Sequence, residues 1–211
     1  MSLPGKLALV TGGSGIVGGG IVRLFMQMGA IVVAPLRSEA CRAGLDSALQ
    51  GTQYNPSSLL TPLADWGTPS TLDADLLTGA VHGRVTGHLL LAKHMLPIVN
   101  KDPGSSYTII SGLVSGPKGE VNVPAEYTLA AVANCALYAL VDCIRAEQRR
   151  AAYRVNELRV GPAIRRDAEE QNAGLPEMQA FPASRLAAIA LRIATGQQRD
   201  EVVEVHAQDM A

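Results

Sequence analysis

The residues best equipped for chemistry lie near the N-terminus, in Thr11-Gly12-Gly13-Ser14-Gly15-Ile16-Val17-Gly18, where Gly12, Gly15 and Gly18 fit a G-x-x-G-x-x-G spacing. A tight turn needs a residue free to take positive φ. A pyrophosphate needs backbone N–H groups with no side chain in front of them, and the start of a helix adds partial positive charge. Glycine triplets also occur in plain loops, so the weight of this one comes from its setting between an apolar strand and a helix, the setting a dinucleotide site requires. Ser14 and Ile16 fall inside the turn and complete the candidate cradle. His82, His88 and His94 point elsewhere: at six-residue spacing each is rotated about 240° from the last around a helix, so they share no face and make no metal site. Cys41, Cys135 and Cys143 are odd in number and lack metal-ligand spacing, which reads as core packing in a reduced compartment.

The elements that must position the turn are short and legible. Lys6–Thr11 is an apolar run bounded by Pro4-Gly5 and the glycine cluster, hence a buried strand. Ile16, Ile21, Val22, Leu24, Phe25 and Met28 then recur at helical spacing up to a closing Gly29, and Ile31–Ala34 is a second strand. That βαβ unit sets two parallel strands side by side. The pattern predicts helices over Leu72–Asn100, Ala125–Arg150 and Ser184–Thr195, and strands over Ser106–Ser111, Val155–Val160 and Glu201–Val205. Such alternation argues for a parallel sheet covered on both faces. Residues 50–70 are the least legible stretch.

With these motifs in place, the stretch KLALVTGGSGIVGGGIVRLFMQMGAIVVAPLR resembles the start of a short-chain dehydrogenase/reductase, and the resemblance runs to the last strand. It implies one Rossmann-type domain over residues 1–211, a doubly wound parallel sheet that binds NAD(H) or NADP(H) and transfers hydride between the nicotinamide and a small carbonyl or alcohol. The second strand ends in Ala34-Pro35-Leu36-Arg37-Ser38, with no acid for a ribose 2′-hydroxyl and an Arg suited to a 2′-phosphate, so NADP(H) is favoured and Arg37 joins the candidate cofactor residues.

The family's proton chemistry rests on a Tyr-x-x-x-Lys helix, a preceding Ser and an Asn. Here the helix reads Tyr127-Thr128-Leu129-Ala130-Ala131, with alanine where the lysine would stand. Gly112 aligns with the serine, flanked by Ser111 and Ser115, and Arg84 aligns with the asparagine. The resemblance therefore makes Tyr127 the candidate proton donor with Ser111 or Ser115 as its partner. A tyrosine at its ordinary pKa of about 10 is ionised in roughly one molecule per thousand at pH 7, and bringing it near 7 takes about 4 kcal/mol of phenolate stabilisation. Two functions follow: an NADP(H)-dependent oxidoreductase, or a catalytically impaired relative serving as a nucleotide-sensing or structural subunit.

The chain has 211 residues, shorter than the family's usual length of about 250. Most of the shortfall falls between Ser38 and Leu72. In the family's strand order, 3-2-1-4-5-6-7, the third strand is an edge and can be lost, whereas losing the interior fourth would leave unpaired backbone groups on both neighbours. The third strand and its helix are thus expected to be reduced or absent, and Leu59–Leu63 to supply the fourth strand. The composition is 47% apolar and 18% charged, with a net charge of −1, which excludes a disordered chain and gives no electrostatic footprint for nucleic acid or an anionic membrane. No apolar run reaches the ~18 residues of a membrane span, and MSLPGK leads straight into a strand, so a cytoplasmic protein is expected. Small residues on the two long helices, 72–100 and 125–150, fit the family's two-fold helix pairing into a homodimer or homotetramer.

Overall fold

The computed structural model describes residues 2–36, 38–50, 68–114, 123–167 and 181–206. They form two compact units: Met1–Pro56 with Pro162–Gly196 and His206–Ala211, and Ser57–Gly161 with Gln197–Val205.

In the first unit, β1 (Leu7–Leu9) and β2 (Ile31–Val33) pair in parallel around α1 (Ile16–Gln27). The helix buries Ile21, Val22 and Phe25, the apolar stripe read from the sequence. Gly29, at φ +90°, lets the chain turn back into β2. α1 packs against α2 (Arg42–Gln50) and against α6 (Ala183–Thr195), which follows the short parallel pair β5 (Ile164–Arg165) and β6 (Phe181–Pro182). Glycines allow both approaches: a Cβ at Gly19 would come 2.6 Å from the Cβ of Ala48, and one at Gly20 would come 3.0 Å from that of Ala183. α2 carries no pattern that the sequence reading recognised.

In the second unit, β3 (Ser106–Gly112), β4 (Arg154–Val160) and β7 (Val202–Val205) run parallel in that order. Ser111 lies opposite Arg159, and Arg159 opposite Glu204. α5 (Thr128–Glu147) covers one face, closing Leu137, Val141 and Ile144 over Ile109 and Val155. α5 with the turn before it, Ala125–Glu147, is long and apolar enough to cross a membrane, where the sequence reading found no span. Its Leu137, Val141 and Ile144 belong to this core.

The helix expected as one piece over Leu72–Asn100 is divided. α3 (Ala74–Val81), capped by the Asp73 carboxylate accepting from the amides of Asp75 and Leu76, leads into a π-helical turn at His82–Thr86 and then α4 (Gly87–Met95). The parallel pairs β2-β1 and β3-β4-β7 correspond to 2-1 and 5-6-7 of the expected order. The strand expected at Leu59–Leu63 lies outside the described residues. The fold is a Rossmann-type α/β fold.

Candidate active site

The glycine turn is built by backbone geometry. After β1, the amide of Val10 donates to Val33 O at 2.9 Å, and the chain reverses at Gly12, whose φ is +71°. The amide of Gly15 donates to Gly12 O at 2.9 Å, and that of Gly19 to Gly15 O at 2.8 Å, which starts α1. A Cβ at Gly18 would fall on the carbonyl of Gly12, so the turn can be this tight only with glycine there. Gly15 is the N-cap and has no side chain to satisfy the helix's first amides, and the first turn carries no acid. The amides of Ile16, Val17 and Gly18 are left without intrahelical acceptors. Such a cradle fits a pyrophosphate, which Gly12, Ser14, Gly15, Ile16 and Gly18 would hold. Arg37 lies outside the described residues.

Around Tyr127 the side chains differ from the family's pattern. Tyr127 closes a 3₁₀ turn (Ala125–Tyr127), half-buried at the head of α5. One turn further on, Ala131 is 6% exposed and lies in the wall of an apolar groove of about 550 Å³, with Thr128, Val132 and Cys135 beside it. An alanine methyl thus stands in apolar surroundings at the position of the lysine.

At the end of β3, Gly112 is bound by a side chain absent from the sequence-level list. Asn134, 3% exposed, accepts from the amide of Gly112 at 2.8 Å and from Arg84 Nη1 at 2.7 Å, both through Oδ1. Its Nδ2 donates to Ala130 O at 2.9 Å. Arg84 projects from the π-helical turn, and His88 follows it by four residues. Burial, and then the Arg84 charge, lower the His88 pKa from its ordinary value.

Ser111 faces a buried charge network. Its hydroxyl donates to Glu157 Oε1 at 2.6 Å, and Glu157, fully buried, pairs with Arg159 at 2.9 Å. Arg159 reaches Glu204 at 3.5 Å and stacks 3.8 Å from the Tyr138 ring centre. Burial works against the Arg159 charge, but the hydrogen bond to Glu157 and the neighbouring carboxylates outweigh it and raise the pKa. The Tyr138 hydroxyl donates to Gly112 O and accepts from the amide of Val114.

The structure therefore brings Ser111 to Glu157, and Arg84 to Asn134. Ser115 lies outside the described residues. Sequence reasoning missed Asn134, Tyr138 and Glu157. One signal was present: Asn134 lies on the same stripe of α5 as Ala131, Leu137 and Val141, a polar residue among apolar ones. In β4, Glu157 and Arg159 are two residues apart and hence on one face of the strand.

No family model matches the chain, and no curated protein does. Solved structures do. A short-chain type dehydrogenase/reductase from Mycobacterium ulcerans superposes with a TM-score of 0.76 at 19% identity, over 100% of this chain and 91% of that one. A short-chain dehydrogenase from Burkholderia cenocepacia in complex with NADP gives 0.73 at 15% identity, over 98% of each chain. A short-chain dehydrogenase/reductase from Serratia marcescens gives 0.73 at 16% identity, over 100% of each. The chain has the fold of the short-chain dehydrogenases/reductases.

Proposed function

We propose that this chain is an oxidoreductase-like protein that binds a nicotinamide dinucleotide at its glycine turn, NADP(H) in preference to NAD(H), without the family's ordinary proton-relay chemistry. It serves as a nucleotide-responsive or structural subunit. Dinucleotide binding draws support from the cradle at Gly12–Gly18 and from neighbours of the same fold, one of them in complex with NADP. The preference rests on Arg37 and the absence of an acid after β2. Impaired chemistry rests on one observation, the buried Ala131 in an apolar wall where a lysine would have to stabilise a phenolate. Two arginines are already engaged, Arg84 by Asn134 and Arg159 by Glu157.

Calorimetric titration with NADPH and then NADH, followed by a turnover screen against small ketones, aldehydes and alcohols, tests this reading. Micromolar NADPH binding, weaker NADH binding and negligible turnover are expected. No saturable binding of either nucleotide overturns it, and so does turnover at the usual enzyme range of about 1 s⁻¹ or more.

A second reading, an active reductase with Tyr127 as proton donor, is favoured by a groove of about 550 Å³ lined by Ala125 and Thr128, close to Tyr127 in sequence, which has room for a small substrate. Under that reading Tyr127→Phe abolishes turnover and leaves NADPH affinity unchanged. For assembly, the exposed Leu76, Leu89, Leu90 and Val132 on α3, α4 and α5 support self-pairing through these helices. Light scattering that returns the mass of a dimer or tetramer supports it, and a monomer sinks it.

A further inference from the structure

We infer that Asn134 is a site-closing residue: it fills the space that a side chain at position 112 would need, and it acts with Gly112 and Arg84 as one coupled unit that leaves no room for a substrate-orienting hydroxyl at the end of β3. The inference deepens the proposed loss of ordinary chemistry and rests on that reading for its functional meaning.

The steric part is direct. A Cβ built on Gly112 would lie 2.9 Å from Asn134 Nδ2, 3.2 Å from its Oδ1 and 3.3 Å from its Cγ. Contacts below about 3 Å are overpacking, and Asn134 has little freedom to withdraw, since it is 3% exposed and both ends of its amide are engaged. The hydrogen-bonding part gives the arrangement its direction. Asn134 Oδ1 accepts from both the Gly112 amide and the Arg84 guanidinium, and two donors on one buried oxygen fix the amide's orientation. The three residues come from three elements, β3, α5 and the π-helical turn, and Asn134 ties them together while its Nδ2 stays anchored to Ala130 O on its own helix. Position 112 is glycine because Asn134 is there, and Asn134 is tolerated inside an apolar helix face because Gly112 and Arg84 satisfy it.

Coupling of this kind is read by a double-mutant cycle on the full chain. Gly112→Ser is expected to lower the urea midpoint by about 1 M, from overpacking against Asn134. Asn134→Ala lowers it as well, by unsatisfying Gly112 and Arg84. The double variant G112S/N134A is expected to be more stable than Gly112→Ser alone, because the clash is gone and serine has room. Should Gly112→Ser fail to fold, a folded double variant carries the same meaning. A double variant no more stable than the sum of its singles overturns the inference. Arg84→Met adds a second readout, faster hydrogen exchange at the Gly112 amide, and unchanged exchange removes Arg84 from the unit. NADPH titration of the wild type keeps the two claims apart. Absent binding defeats the proposed function while the cycle still stands, and an uncoupled cycle defeats this inference while binding still stands.

Discussion

The glycine turn and the head of α5 differ from the pattern of the short-chain dehydrogenases/reductases to very different extents. At the turn, the proposed task would fall to Gly12, Gly15 and Gly18 through their lack of side chains, and the backbone amides that they expose depend on no particular functional group. Around Tyr127 that pattern depends on specific side chains, and this sequence has others at the aligned positions: alanine (Ala131) for lysine, glycine (Gly112) for serine, arginine (Arg84) for asparagine. At the end of β3 the polar contacts are of another kind: Asn134 holds the Gly112 amide, Tyr138 binds the Val114 amide and Glu157 accepts from Ser111. A binding site made of backbone persists as long as the turn folds. A catalytic site made of side chains can be dismantled one residue at a time while the core beneath it stays packed.

The comparison can be broken from either side. The largest effect is expected at Glu157, which is fully buried and bonded to both Ser111 and Arg159. Glu157→Ala unpairs Ser111 and takes from Arg159 its nearer carboxylate, leaving Glu204 at 3.5 Å, and is expected to destabilise the fold by about 3 kcal/mol in chemical denaturation. A loss below about 1 kcal/mol would mean that this network is not a structural replacement for the catalytic one.

Next in size is Gly18→Ala, which drives a methyl onto the Gly12 carbonyl. Overpacking of about 1–3 kcal/mol concentrated in the cradle should weaken NADPH binding by roughly tenfold to a hundredfold, as read by calorimetry. Tyr127→Phe, in contrast, should leave that affinity within about twofold of wild type, a difference of about 0.4 kcal/mol. Equal losses from both variants would erase the distinction drawn between the two regions.

The smallest effect concerns His88. Its folded pKa is lowered by burial and by Arg84, so between that value and the ordinary 6.5 the unfolded chain holds more protons than the folded one. Stability is therefore expected to fall as pH drops from about 6.5 through the folded pKa, and to level off below it. His88→Gln should flatten that slope, and Arg84→Met should raise the His88 pKa measured by NMR. An unmoved pKa would show that Arg84 does not face His88.

Much of the fold was legible because the apolar runs Leu7–Leu9 and Ile31–Val33 are bounded by glycine and proline, and because α1 and α6 carry single apolar stripes. α2 was not, since Arg42-Ala43-Gly44-Leu45-Asp46 is polar and interrupted by glycine and gains its place by close approach of Gly44 to Ser14 O, a tertiary effect. The break in the Leu72–Asn100 helix was also hidden: Gly83 and Gly87 are poor helix formers, but Leu77, Val81, Val85 and Leu89 keep helical spacing across it, and only the hydrogen-bond register changes. At the candidate site the turn could be read from its glycine spacing together with its setting between a strand and a helix. Asn134 and Glu157 could not, because their partners lie 22 and 46 residues away in sequence.

The π-helical turn at His82–Thr86 also has a consequence for how this chain tolerates changes in length. A π turn is an α-helix that has accommodated one extra residue, so everything beyond it is rotated by about 100° relative to an uninterrupted helix. Removing one residue, for example Gly83, would let the segment anneal into a regular helix with every backbone bond intact, and yet re-aim Arg84 away from Asn134. The contact between Arg84 and Asn134 is thus kept by a residue count as much as by the two residues that make it.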